Sequence, residues 1–462
     1  MILSFFAFLT VVNILLSLFL DHGQVMMWNQ IGILFSFWVY TVIQRRYHLP
    51  HREILSNLAI LFMFVLDVYI VLGSFAHAML SLRYPGVLNR DYIGAHAYMT
   101  QCLMVFALTT IIIFKPIRQV QKTYLKTESN KLYGLFMAMG LSATALGILR
   151  LGFVPFLSDA HRGERDFSDA GFFYLRLWSY LVYPFAYYIY DFLTSSVDRR
   201  ISKVLLAVVC FMPLLAFNVR YFPTIAIVVT LLVAVEYIPK KITFKYLMLL
   251  IIIVFLAVAV PSFIVNQREV ERDDMSYIVT GDAYSDRLFN LLIIDSFSAN
   301  YAQTIDLVTR YSDYRYGETL INSALVIFPA KILYAVGIDK SEIRQDNSAY
   351  ILAQMTSGTI STGLRTGIMG EFYVNFGMFG SIFMILWAVL LNWVSSVHKR
   401  LHVQDFRKVL YYPVAASLIY GVLGQPDAIA SMFYNTFLVG FILYLFSKRS
   451  PFRQESMSIV AQ

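Results

Sequence analysis

Charge is scarce in this 462-residue chain: Asp, Glu, Lys and Arg make up 14% of it, against roughly 25% in soluble domains. That shortage excludes an ordinary soluble globule. Cysteine is almost absent, and the two present, Cys102 and Cys210, both sit in apolar runs. They offer neither a disulfide framework nor a metal set. The 8 histidines are scattered without ligand spacing. There is no P-loop, no paired-cysteine motif, no HExxH and no GxSxG. Without a nucleotide site, the energy for any reaction has to come from the substrate itself or from a gradient. No cofactor and no metal are expected.

What the chain has instead is apolar surface. Hydrophobic residues make up 58% and the mean hydropathy is +0.63. The apolar runs are close to the ~20 residues of helix that cross a bilayer core. Twelve predicted spans fall near 2–20, 27–43, 54–78, 93–114, 132–153, 172–194, 204–217, 224–238, 246–265, 368–393, 412–424 and 430–446. Three of them, 204–217, 224–238 and 412–424, are short enough to require tilt or extension. The first has no basic leader and no small-residue cleavage site, so it reads as a retained helix.

The net charge of +8 does not indicate nucleic acid. The basic residues sit in short loops and alternate with the spans. With the N-terminus inside, the inner loops and tail hold 21 of them and the short outer loops 5. This is the positive-inside pattern, and it puts both termini in the cytoplasm. The predicted fold is an all-α polytopic membrane protein, a single membrane domain over 1–462. A large outer segment, 266–367, lies between the ninth and tenth spans. Apolar positions in Arg287–Tyr311 mark an amphipathic helix there. Thr319–Val336 reads as a re-entrant or interfacial helix rather than a span, because a span would break the charge pattern. "QDNSAY" starts a short helix with Asn347 or Ser348 as cap.

Charged residues collect at the predicted outer face. Arg150 and Arg176 lie near the outer ends of their helices, where an arginine either snorkels to headgroups or faces a site. Arg220 sits in the tight turn "FNVRYFPT", fixed by Asn218 and Pro223. Arg365 stands in "SGTISTGLRTGIMGEFYVNFG", where glycines let backbone approach a ligand. The helix starting near Ile368 points its amides and positive end the same way. A guanidinium beside free amides suits a phosphate. Glu371 is either a partner of these arginines or a general base. His161, in an outer loop, is a second candidate base. Arg287 shares a helix face with Asp295 on the outer segment. Asp67, in mid-span, is either a proton site or a paired structural group. Asp191 and Glu236, near cytoplasmic helix ends, read as solvated. The aromatic run "YLVYPFAYYIY" (180–190) reads as interface belt and packing.

Three stretches carry a family resemblance. "NVRYFPTIAIVV", then "VIFPAKILYAVG" with "DNSAYILAQ", then "TGLRTGIMGEFYVNFGMFG" together resemble the bacterial oligosaccharide repeat-unit polymerases. These are the Wzy-type O-antigen and enterobacterial-common-antigen polymerases. The resemblance is spread over about 130–440. Arg220 corresponds to the family's turn arginine and Glu371 to its Gly-Glu position, while Arg365 rests on the local argument alone. The resemblance implies a GT-C-like glycosyltransferase fold with a periplasmic loop, in the bacterial inner membrane. It also implies metal-independent transfer of a glycan from undecaprenyl pyrophosphate to a sugar hydroxyl of another lipid-linked unit, and a possible chain-length-regulating co-polymerase as partner. The arginines Arg220, Arg365, Arg150, Arg176 and Arg287 would hold the pyrophosphate. The alternatives are an O-antigen ligase, a flippase or secondary transporter, and an acyltransferase or scaffold subunit. No internal repeat is visible and only Asp67 places charge at mid-depth, which weighs against a transporter.

Overall fold

A computed structural model describes residues 2–17, 23–83, 92–116, 129–151, 177–194, 200–216, 221–237, 304–305, 308, 314–325, 328, 330–345, 348, 351, 367–400, 406–422 and 426–449. All regular structure among them is helical. The helices are α1 (Ile2–Ser17), α2 (Gly23–Tyr47), α3 (His51–Leu55), α4 (Leu58–Arg83), α5 (Tyr92–Ile113), α6 (Ser129–Leu151), α7 (Val182–Thr194), α8 (Arg200–Leu215), α9 (Tyr221–Tyr237), α10 (Glu318–Leu325), α11 (Ala330–Ala335), α12 (Lys340–Gln345), α13 (Gly367–Phe376), α14 (Met384–Arg400), α15 (Phe406–Tyr420) and α16 (Pro426–Arg449). A 3-10 turn, Gly377–Phe383, joins α13 to α14.

Eleven of the twelve apolar runs coincide with described helices, and the run at 246–265 lies outside the described residues. Five helical stretches are long and apolar enough to cross a membrane: Gly23–Tyr47, Ile93–Ile113, Leu132–Arg150, Gly367–Arg400 and Ala428–Leu445. Shorter apolar helices cover Ile2–Leu15, Leu58–Val71, Ser202–Leu215, Tyr221–Glu236 and Val409–Tyr420. This is a helical membrane protein.

Two packed groups meet at α14 and α15. In the first, α1, α2, α4 and α5 pack together and α14 lies against α4 and α5. In the second, α7, α8, α9 and α15 pack together, with α6 against α7 and α16 against α15. Helix ends are closed by named groups. Asn57 caps α4, its Oδ1 accepting the Ala59 N–H at 2.9 Å. Its amide donates to Asn392 Oδ1 on α14 at 3.2 Å, which ties the cap to the neighbouring helix. At the end of α8 the indole of Trp178 donates to Pro213 O at 2.6 Å, satisfying one of the last carbonyls, which have no intrahelical donor. The aromatic run at 180–190 is packing: Tyr180, Tyr183, Phe185, Tyr187, Tyr188 and Tyr190 are all buried. Tyr187 stacks on Tyr133 of α6 with ring centres 4.3 Å apart.

The outer-segment run Thr319–Val336 is not one helix. It divides into α10, 8 residues, and α11, 6 residues, with a bend at Phe328 before Pro329. Proline lacks the N–H and clashes with the preceding turn, so a continuous helix stops there. Neither piece approaches the length of a span. Of the amphipathic helix expected over 287–311, Thr304, Ile305 and Val308 are described, and all three are buried.

Candidate functional site around Glu371

Helix α13 opens the Gly367–Arg400 stretch, and Glu371 lies one turn into it. Its side chain is fully buried. Two hydroxyls from the outer segment serve it: Thr319 Oγ1, on α10, donates to Oε1, and Ser348 Oγ donates to Oε2. Asn375, one turn further along α13, donates to Thr319 Oγ1 at 2.6 Å and to Glu371 O at 2.8 Å. Its own Oδ1 accepts the Gly317 N–H at 2.8 Å. Backbone bonds continue the seam, from Arg315 N to Val374 O at 3.1 Å and from Tyr316 N to Asn375 O at 3.0 Å. The outer segment is therefore stitched along the first two turns of α13, with Glu371 as the acceptor at the centre.

The geometry requires glycine at the end of α13. Gly377 has φ +59°, in the left-handed region. A Cβ there would stand 2.9 Å from the Tyr314 ring, on the same outer segment. A Cβ on Gly380 would collide with the Phe372 carbonyl. The 3-10 turn thus brings three elements closer than side chains allow.

The start of α13 is also fixed from the other side. Ile368 N donates to Gly421 O, just past α15, at 2.8 Å. One turn back on α15, Ser417 Oγ pairs with the Tyr221 hydroxyl at 2.7 Å, and that hydroxyl reaches Ala428 O on α16 at 3.0 Å. The first residue of α9 and the first turn of α13 are therefore held to the same end of α15 and α16. In sequence, Arg220 immediately precedes Tyr221, and Arg365 stands two residues before Gly367.

Beside this seam runs an open apolar groove of about 660 Å³. Leu320, Phe328, Phe372, Trp387, Ile429 and Phe433 line it. It is bounded by α10, α13, α14 and α16, so one wall is the helix that carries Glu371. Ser323 Oγ and Trp387 Nε1, on buried lining residues, have no hydrogen-bond partner among the described residues.

Of the residues singled out in the sequence, Glu371 occupies this site. Arg150 is exposed at the end of α6 and makes no hydrogen bond or ion pair among the described residues. Arg176, Arg220, Arg287, Arg365 and His161 lie outside the described residues. Ser348 corrects an expectation: read as a helix cap, it places its hydroxyl on Glu371. Thr319 and Asn375 carried no sequence signal. Among the described residues no three His, Cys, Asp or Glu side chains gather as a metal site requires.

Glu236 corrects a second expectation. It is not solvated but buried at the end of α9. His398 Nε2 of α14 lies 2.8 Å from Glu236 Oε2, and the Tyr412 hydroxyl of α15 donates to the same oxygen at 2.7 Å. The His398 ring stacks on Tyr411 with centres 3.6 Å apart. Asp191, also read as solvated, is paired with Lys203 at 2.6 Å.

No known protein family, curated protein or solved structure matches this chain.

Proposed function

We propose that the chain polymerises lipid-linked oligosaccharide repeat units at the outer face of the bacterial inner membrane. The reading rests on the motif resemblance, and one structural observation carries it furthest. Glu371 is a buried carboxylate whose two oxygens both accept from hydroxyls, and it borders an apolar groove. A sugar hydroxyl is the same kind of donor as Thr319 or Ser348. It can take the place of either one without changing the chemistry of the carboxylate.

In this reading Glu371 is the general base. The acceptor sugar oxygen attacks the anomeric carbon of the donor glycan, and its proton passes to Glu371. The bond from that carbon to the pyrophosphate oxygen breaks, and undecaprenyl pyrophosphate leaves with the electron pair. Negative charge grows on the phosphate oxygens as it departs. Arg220 and Arg365 are assigned to hold it, since preorganised guanidinium groups in a water-poor site stabilise developing charge strongly. The joining of Tyr221 and Ile368 through α15 supports this assignment, because these residues follow the two arginines closely in the chain. The groove accommodates hydrocarbon of a lipid-linked substrate, and α10–α12 form part of the lid over it.

The test is an analysis of lipid-linked and cell-surface glycans in a strain deleted for the gene, then restored with it. Loss of long chains with single units still attached, and recovery on restoration, is the expected outcome. Loss of all attached units would instead support a ligase or a flippase.

A further inference from the structure

Asp67 lies in the tenth position of α4, deep within an apolar helix. Its side chain is 1% exposed. Nothing pairs with it. Oδ2 has no hydrogen-bond partner, and no cation among the described residues reaches the carboxyl. Across the interface Gly32 of α2 gives it room, and Thr100 and Leu103 of α5 close the same space. Ser36, one turn from Gly32, faces the carboxyl but at no geometry that makes a full hydrogen bond, and its own hydroxyl is partnerless.

The titratable groups of the surrounding helices are engaged elsewhere. α1 has none. On α2, the Tyr40 hydroxyl meets His51 of α3 and the Tyr47 hydroxyl donates to Phe114 O. On α5, the Tyr98 hydroxyl donates to Met369 O, and His96 Nδ1 lies 2.9 Å from Asn29 Oδ1. On α14 and α15, His398 and Tyr412 serve Glu236, and Tyr411 stacks on His398. An ionised carboxylate left alone among such walls carries a large desolvation cost, which a proton removes.

A route for that proton begins two turns away. Asn29 lies seven residues before Ser36 on α2, and Ser74 seven residues after Asp67 on α4, so both are on the faces that carry the pocket. Asn29 Nδ2 donates to Ser74 Oγ and to Asn13 Oδ1, the latter at 3.3 Å. Asn13 donates to Gln30 at 3.2 Å, and Gln30 to Thr10 at 3.3 Å. With His96 this makes a buried polar network joining α1, α2, α4 and α5. Imidazole is the one relay in it that exchanges protons near neutral pH.

We propose that Asp67 is a proton-binding site of this four-helix group, loaded through the Asn29–His96 network. The site is independent of the polymerase reading. The ligand is a proton, the bound state is the neutral acid, and release leaves the carboxylate.

The test is infrared difference spectroscopy on the full chain in lipid nanodiscs, comparing wild type with Asp67→Asn and His96→Ala. The wild type should show a protonated-carboxyl carbonyl band that shifts in D2O and fades as pH rises. Asp67→Asn should lose that band. His96→Ala should keep it and exchange it several-fold more slowly. Should Asp67→Asn fail to fold, the wild-type pH and D2O series alone decides. Absence of the band in wild type, its displacement by sodium, or a band that never exchanges overturns the proposal.

Discussion

Thr319 and Glu371 are 52 residues apart in sequence, yet the threonine hydroxyl donates directly to the glutamate carboxylate in a fully buried site. Ser348 reaches the other oxygen of the same group. One acceptor on a membrane helix therefore holds two separate parts of the outer segment. Removing either hydroxyl leaves a buried carboxylate short of a donor. Thr319→Val and Ser348→Ala should each lower stability by about 1–3 kcal/mol. Thermal unfolding in detergent reads this directly. The double variant should be non-additive, because both hydroxyls serve one carboxylate.

Gly377→Ala places a Cβ at positive φ and against Tyr314. A cost of about 1–3 kcal/mol follows from the backbone alone. Protease sensitivity of 314–325 should rise with it, since Tyr314 must shift. Gly440→Ala is the comparison: its Cβ would meet the flexible end of Leu410, and it should remain close to wild type.

The buried pair of Glu236 and His398 joins α9 to α14, with Tyr412 of α15 on the same oxygen. Breaking one member of such a pair costs about 3–5 kcal/mol. His398→Ala should therefore lower the unfolding temperature more than any single hydroxyl deletion at Glu371. Expression level and melting temperature in detergent test the ranking.

If Arg220 and Arg365 hold the departing pyrophosphate, Arg220→Ala and Arg365→Ala should each abolish long glycan ladders and leave single repeat units attached. Protein levels should be unchanged. Gel separation of surface glycans reads the outcome. Arg150→Ala, at an exposed helix end, should leave the ladders intact.

The helices were largely legible in the sequence, because apolar runs bounded by charge mark them whatever they pack against. The short runs 204–217, 224–238 and 412–424 gained residues at their starts once structure was available, becoming Arg200–Leu215, Tyr221–Tyr237 and Phe406–Tyr420. Their polar first turns hid those starts from an apolarity count. Glu371 was legible as a charge where charge is costly. Its partners were not, since Thr319 and Ser348 meet it through tertiary contact that leaves no periodic trace. Glu236 was misread for the same reason. Its position near a helix end suggested solvent, while His398, which covers it, comes 162 residues later.

The most direct test of the account uses purified protein and a defined lipid-linked repeat unit. Wild type should extend the unit into a ladder and release the lipid pyrophosphate. Glu371→Gln should bind the donor equally well but elongate roughly 10²–10⁴-fold more slowly, the loss typical of a missing general base. Elongation by Glu371→Gln at the wild-type rate, or no elongation by the wild type with an intact fold, would contradict it.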